Sequence, residues 1–330
     1  MVAAVLLVVS LAVILAGGVV FTNAVEWAGA RLHLGHSAVG SVLAAAATVL
    51  PEALIFIVAV ARGRQGGGIA VGAIAGAPLL LATLALALCG VSAVVFRGRR
   101  GSARLFLGRH ESVPDLLVVV CALAVSVAIG LTGVTALRLA GAAVLLVAYA
   151  VVTWRSVSRA RQAGGAAEPA RLYFGTARHN PPPTVLVAVQ TLAGAGLLGG
   201  AAELYVRCVG QLAGTLGASA LTLTLVIAPL ATELPEQINS VLWIREGKDV
   251  LALGNITGAL VLQCTLLIAA GMAFTDWQLT APALLALLGA LAGAALALAA
   301  ALRARRLSAS VIGCWAGMYV GGITSIITLT

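Results

Sequence analysis

Apolar residues run almost continuously along the chain and rarely alternate with polar ones. Ten stretches are predominantly apolar over about 17 residues or more, enough for an α-helix to cross a hydrocarbon layer about 30 Å thick. The first stretch has no basic residues before it, unlike a signal peptide, and is interpreted as a membrane helix. The pattern predicts an all-α membrane protein with ten transmembrane helices, at residues 2–28, 37–61, 68–96, 114–133, 137–154, 184–212, 216–244, 249–272, 280–302 and 308–329.

Composition narrows the class of protein further. Of the 330 residues, 61% are hydrophobic and 9% are charged, whereas about a quarter of the residues of a soluble domain are charged. A soluble enzyme is therefore excluded. The five cysteines are isolated, which excludes a disulfide scaffold.

The net charge of +9 does not indicate a nucleic-acid partner. The basic residues lie between the apolar stretches, and no basic helix with interleaved aromatic residues is present in the sequence. The expected partners are membrane lipid and small cations, with no nucleic acid. The oligomeric state stays open.

The basic residues also predict an orientation in the cell membrane. Sixteen of the 20 Lys and Arg residues fall in the odd-numbered loops between the ten stretches. Because cytoplasmic loops are enriched in Lys and Arg, both termini are predicted to lie outside. The longest polar stretch, 155–183, is predicted to be a flexible cytoplasmic linker between two groups of five helices, 1–154 and 184–330.

The two groups contain matching motifs. Residues 47–52 read Ala-Thr-Val-Leu-Pro-Glu, and residues 231–236 read Ala-Thr-Glu-Leu-Pro-Glu, offset by 184. Downstream, Gly-Ala-Ile-Ala-Gly-Ala at 72–77 matches Gly-Asn-Ile-Thr-Gly-Ala at 254–259. Five helices is an odd number, so the second copy is predicted to be inverted, and proline-interrupted helices at corresponding positions point to a mid-membrane transport site.

The residues of the motif suit a cation site. Pro51 and Pro235 each remove a helical hydrogen bond and free a carbonyl oxygen, which is a hard ligand. Glu52 and Glu236 follow them, and a carboxylate in mid-bilayer costs about 2.5 kcal/mol or more, so it indicates function. We predict that Glu52 and Glu236 are the metal-binding pair.

Neighbouring polar residues extend the candidate site. Thr48 and Thr232 lie one turn before the glutamates and either bind a cation or cap the freed backbone. Glu233 lies three residues before Glu236 and so shares its helix face. Because confined carboxylates repel one another, Glu233 either adds negative charge or carries a proton when the metal leaves.

The paired motifs resemble the two alpha repeats of the cation/calcium exchanger superfamily, which includes sodium/calcium exchangers. The family pattern is Gly-Thr-Ser-Leu-Pro-Glu followed by a Gly-Asn-x-x-Gly-Ser-Asn-like stretch, and the resemblance covers nearly the whole chain. It implies a ten-helix exchanger fold in which Glu52 and Glu236 are the central cation-binding glutamates. It also implies a transporter without enzymatic activity or cofactor, whose transported ions are Ca²⁺, Na⁺ or H⁺.

The chain departs from this pattern mainly in its first copy. The motif serine is replaced by Val49 and by Glu233, and apolar residues occupy expected polar positions at Ala73, Ala77 and Leu81. In the second copy Asn255 is retained, and Gln263 stands at the place of an acidic residue. We predict Asn255 and Gln263 as further cation-site residues, with interhelical hydrogen bonding as the alternative role.

The sequence thus predicts an antiporter that exchanges Ca²⁺ for Na⁺ or H⁺ by alternating access. Two alternatives stay open: a proton-coupled exchanger of another cation, and a non-transporting homologue. An intramembrane aspartyl protease is disfavoured because the aspartates lie at the ends of predicted spans. Glu26 and Glu203, near the ends of the first span of each half, are expected to be solvated.

Overall fold

The computed structural model describes most of the chain. The described residues are 2–31, 36–63, 66–102, 105, 109–163, 170–175, 181–303 and 309–329. Within these ranges the side chains of 29–48, 100, 109–111, 157, 159–163 and 235 fall outside the description. Thr48 is one of them, so its predicted role lies outside the described residues.

Long helices make up the described chain, and no strand occurs among its residues. In chain order they are α1 (Val2–Arg31), α2 (His36–Ala61), α3 (Gly67–Val95), α4 (Arg109–Thr132), α5 (Thr135–Ala163), α6 (Thr184–Leu216), α7 (Ala220–Thr232), α8 (Leu234–Arg245), α9 (Asp249–Phe274), α10 (Ala281–Arg303) and α11 (Ala309–Thr328). One short turn, Arg97–Arg100, follows α3. Eight helices in the described part are long and apolar enough to cross a membrane, and two shorter apolar stretches lie at Val49–Ala61 and Ala220–Thr232.

The helices α3 and α9 form the centre of the molecule. Of their most apolar windows, 72% and 78% of residues are buried, against 11% in α11 at the periphery. Each contains a π-helical turn, at Leu80–Ala85 in α3 and Gln263–Leu267 in α9. Such turns re-aim side chains and occur frequently at functional sites.

The two prolines of the repeated motif have different effects on the backbone. Pro51 lies inside α2, which continues through it. In the second copy the helix is interrupted: α7 ends at Thr232, Glu233 links the two segments, and α8 begins at Leu234 with Pro235 in its first turn. Proline suits that position because the first amides of a helix have no intrahelical partner. The predicted interruption is therefore found at Pro235 and not at Pro51.

Glycines allow α3 to approach α7 closely. A Cβ at Gly72 would lie 2.6 Å from the carbonyl oxygen of Leu221, and one at Gly76 would lie 2.3 Å from that of Leu225. The spacing of these glycines thus serves close helix packing, as small residues do between membrane helices. It brings the motif helix α7 against the central helix α3.

Part of the predicted linker is ordered against the helices. Helix α5 continues past the predicted end of its span, residue 154, to Ala163. Further on, Leu172 is buried in a small apolar cluster with Ala24 of α1 and Val187 of α6. The described part of 155–183 therefore packs against the helices and is not the flexible linker that the sequence predicts.

Side-chain hydrogen bonds hold residues 170–175 in place. Asn23 Nδ2 and Trp27 Nε1 donate to the carbonyl oxygen of Ala170 at 3.0 and 2.8 Å. The amide of Phe174 donates to Gln190 Oε1 at 2.8 Å. Because Asn23 and Trp27 lie in α1 and Gln190 lies in α6, this segment fastens the two helices together.

The close approach of α3 and α7 predicts a specific sensitivity to a single methyl group. Substitution Gly76→Ala would push a Cβ into the Leu225 carbonyl, and overpacking of this kind costs about 1–3 kcal/mol. The thermal unfolding midpoint of the purified protein should fall by several degrees. The control Gly196→Ala, at an exposed α6 glycine with no neighbouring atom within 4 Å, should leave it unchanged or slightly higher, since alanine favours the helix. Equal midpoints for the two variants would contradict the packing described.

Candidate cation site

Three glutamates from both halves of the chain meet inside the protein. Glu52, Glu233 and Glu236 are 0%, 2% and 3% exposed. The carboxyl of Glu233 interacts with those of both Glu52 and Glu236. The structure thus brings the predicted pair and the neighbouring Glu233 into one buried acidic centre, at the point where α7 gives way to α8.

The helix interruption shapes this centre. The break is local, because the amide of Glu233 still donates to the carbonyl oxygen of Pro229 at 3.1 Å and the amide of Gln237 donates to the carbonyl oxygen of Glu233 at 3.2 Å. The amino end of α8 carries partial positive charge and contains Glu236 in its first turn, which stabilises a carboxylate there. The local break therefore places the carboxylate of Glu236 at a helix amino end that stabilises it.

Thr232 lies at the last helical position of α7 and faces the acidic centre. Its hydroxyl donates to the carbonyl oxygen of Ala228 at 3.0 Å and interacts with the carboxyl of Glu52. The hydroxyl oxygen retains lone pairs for a cation after donating its proton to the backbone. Thr232 is thus positioned both as a cap of α7 and as a neighbour of Glu52.

Gln263 reaches the centre from the π-helical turn of α9. Its Nε2 donates a hydrogen bond to Glu233 Oε1, and its side chain is buried. The amide therefore fixes one oxygen of Glu233 and leaves its own Oε1 directed into the interior. Leu81 of the first copy lies in the π-helical turn of α3 and is also fully buried, so the corresponding position there offers no oxygen.

Asn255 connects α8 to α9 beside the centre. Its Nδ2 lies 3.3 Å from the carbonyl oxygen of Glu236 and 3.3 Å from Ser240 Oγ. Ser240 in turn donates to the carbonyl oxygen of Ala252 at 3.3 Å. These contacts place Asn255 as a link that holds the helix of Glu236, and its role as a cation ligand stays a prediction.

Sequence reasoning did not select Ser240. The sequence does contain a pattern that could have identified it: Ser240 lies four residues after Glu236 and so on the same face of α8. A second unselected pair, Tyr205 of α6 and Thr224 of α7, has buried hydroxyls that lie near each other without a hydrogen bond of ordinary geometry. Nothing in the local sequence indicates that these two hydroxyls come together from different helices.

The donor set suits a hard cation completed by several kinds of oxygen. No group of three or more His, Cys, Asp or Glu residues in the described part is close enough to hold a metal ion by side chains of these types alone. Oε1 of Gln263 is buried and accepts no hydrogen bond from a described residue, and the buried oxygens of Glu52 have the Thr232 hydroxyl and the Glu233 carboxyl beside them without a hydrogen bond of ordinary geometry. Buried acceptors without a partner are costly, and a cation would satisfy them.

A buried acidic centre beside an interrupted membrane helix is the arrangement expected of a membrane protein that handles cations. The sequence profile of the sodium/calcium exchanger protein family matches residues 2–157 and 186–327. The chain belongs to this family, which confirms the resemblance found in its repeated motifs. No curated protein matches the chain in sequence.

Solved structures share the fold over nearly the whole chain. The crystal structure of the H⁺/Ca²⁺ exchanger CAX has a TM-score of 0.73 and 18% identity, covering 99% of this chain and 86% of that one. Native YfkE gives 0.69 and 16%, covering 98% and 91%. The sodium-calcium exchanger NCX_Mj, soaked with Na⁺ and Sr²⁺, gives 0.58 and 20%, covering 98% of both chains. The helical exchanger fold is therefore established for this chain.

The hydrogen bond from Gln263 to Glu233 predicts a loss of stability when it is removed. In Gln263→Leu the buried Glu233 loses its amide donor, and leaving a buried acceptor without its partner costs about 1–3 kcal/mol. The thermal unfolding midpoint in cation-free buffer should fall clearly. The control Thr265→Val, in the same π-helical turn, removes a hydroxyl that bonds only to the backbone of Val261 and should have the smaller effect. A larger effect of Thr265→Val would argue against the Gln263 contact.

Proposed function

We propose that this protein exchanges Ca²⁺ for Na⁺ or H⁺ across the cell membrane, by alternating access to the acidic centre. The observation that carries the proposal is the meeting of Glu52 with Glu233 and Glu236 in a buried, interrupted-helix environment. Carboxylates in such a place repel one another unless a cation or protons compensate them. Glu52 and Glu236 are the proposed metal ligands, with Thr232, Glu233, Gln263, Asn255 and, by its position in the motif, Thr48 as further site residues.

The nature of the transported ion is supported by the family and by the fold. The similar structures are named as an H⁺/Ca²⁺ exchanger and a sodium-calcium exchanger, so Ca²⁺ is common to both. Carboxylate, carbonyl and hydroxyl oxygens are the ligands that Ca²⁺ prefers. No cofactor is required for exchange at such a site.

The proposed topology is two inverted five-helix repeats, 1–154 and 184–330, joined by 155–183. In this arrangement α7 and α8 together form one interrupted span, which gives ten spans in all. The excess of Lys and Arg in the odd-numbered loops places both termini outside and the connecting segment in the cytoplasm. The motifs on α2 and α7–α8 then meet at mid-membrane from opposite directions.

A proton-coupled exchanger of another cation is the second candidate, and one observation favours proton coupling. Val49 and Leu81 are buried at 3% and 0% exposure where the family pattern has polar residues. The first repeat therefore offers fewer oxygen ligands for Na⁺ than the second, where Glu233 and Gln263 occupy the matching positions.

Ion flux into proteoliposomes tests the proposal. Uptake of Ca²⁺ should be driven by an outward gradient of Na⁺ or of H⁺, applied in parallel experiments. Both Glu52→Gln and Glu236→Gln should abolish uptake, because each removes a negative charge from the buried centre while keeping the shape of the side chain.

The matched control is Glu246→Gln, at an exposed carboxylate just beyond α8. Lys248 Nζ lies 2.7 Å from Glu246 Oε2, and this ammonium holds the pKa of that carboxyl below its ordinary value. Glu246 is thus ionised but outside the centre, and its substitution should leave uptake intact. Absence of Ca²⁺ uptake under both gradients, with flux of another cation, would replace the first candidate by the second; no cation flux at all would indicate a non-transporting homologue.

A further inference from the structure

An ion pair fastens α6 to the end of α2. Arg62, just beyond the last helical residue of α2, donates through Nη2 to Glu203 Oε1, and Arg207 Nε donates to the same oxygen at 2.8 Å. The side chains of Arg62 and Glu203 are 30% and 37% exposed. Glu203 is therefore not simply a solvated helix end, because it connects two helices through a partly exposed ion pair.

Reciprocal contacts relate α1 to α6. A Cβ at Gly17 would lie 3.2 Å from Leu198 Cγ, and a Cβ at Gly194 would lie 2.9 Å from Phe21 Cα. Each residue of the first contact is 177 positions from its counterpart in the second. The two helices thus cross about a local two-fold axis, and the same offset relates Glu26 of α1 to Glu203 of α6.

The arginine of the ion pair also has a counterpart. In the second copy of the motif, which is offset by 184 residues, position 246 corresponds to Arg62. The neighbouring Arg245 is the last residue of α8. In an inverted repeat, Glu26 and Arg245 belong to the opposite face of the membrane from Glu203 and Arg62. Each half of the chain therefore carries a glutamate on its first helix and an arginine at the end of its motif helix.

Only one of these related pairs is formed in the structure. The guanidinium of Arg245 lies 5.9 Å from the ring centroid of Phe96. Glu26 makes no ion pair with any side chain in the described part of the chain. Among the described residues, α1 and α6 pack broadly against α2, contact α7 less extensively and make almost no contact with α8. The α1–α6 pair thus packs mainly on α2, and the Arg62–Glu203 ion pair is formed at this contact.

We propose that the ion pairs Arg62–Glu203 and Glu26–Arg245 form alternately and close opposite faces of the transport site. This inference rests on the proposed antiport function. The α1–α6 pair rocks as a unit between α2 and α8, as bundles do in transporters with inverted repeats. A partly exposed ion pair is weak, so each pair can break once in every cycle. These four residues position the moving helices and do not bind the transported cation.

Cross-linking in liposomes tests the alternation without any need for transport. In a chain with the five native cysteines replaced by alanine or serine, the double substitutions Arg62→Cys/Glu203→Cys and Glu26→Cys/Arg245→Cys should both form disulfides on oxidation. The control Glu203→Cys/Arg245→Cys, which joins opposite faces, should form none. Mass spectrometry of the digested protein identifies each cross-link.

Formation of the 62–203 disulfide without the 26–245 disulfide would overturn the alternation. Formation of both, in a protein that moves no cation, would keep the alternation and refute the antiport proposal alone. Where transport is measured, each disulfide should reduce it at least tenfold, and a reductant should restore it.

Charge variants in the native chain supply a second readout that does not depend on cysteine replacement. Arg62→Glu should slow Ca²⁺ uptake severalfold, and the swap Arg62→Glu/Glu203→Arg should restore at least half of the rate. Arg207→Gln removes only the partner within α6 and should leave the rate near that of the unmodified protein. A swap that folds but fails to recover, or an Arg207→Gln variant as slow as Arg62→Glu, would contradict the gating role of the Arg62–Glu203 pair.

Discussion

The burial of three carboxyl groups in one place is the constraint on which the rest of the structure depends. Glu52, Glu233 and Glu236 lose nearly all contact with water, yet they repel one another when ionised. A buried charge is tolerated only where donors, helix ends or a cation compensate it. Each unusual feature around the centre supplies part of that compensation.

Two backbone irregularities contribute to this compensation. The interruption at Glu233 places Glu236 in the first turn of α8, where the helix amino end stabilises its carboxylate. The π-helical turn of α9 aims the amide of Gln263 at Glu233. Close approach of α3 at Gly72 and Gly76 then seals α7 against the central helices. The result is a polar interior enclosed by helices whose outer faces suit lipid.

Sequence patterns predicted the helical membrane fold, the family and the meeting of the three glutamates, because these depend on apolar length and on a repeated motif. They did not predict that α2 would continue through Pro51, since tertiary packing decides whether a proline interrupts a helix. They also missed the contacts of Ser240 and the docking of 170–175 on Asn23 and Gln190. Such contacts join residues distant in sequence and leave no periodic signal. The pairing of Glu203 with Arg62 has the same origin.

A structure determined with Sr²⁺ or Ca²⁺ bound, located by anomalous scattering, tests the central claim most directly. The account predicts one ion between the carboxylates of Glu52 and Glu236, with Thr232 and the carbonyl end of α7 among its neighbours. An ion bound elsewhere, with Glu52 and Glu236 unchanged from their positions without the ion, would contradict the assignment of the acidic centre as the cation site.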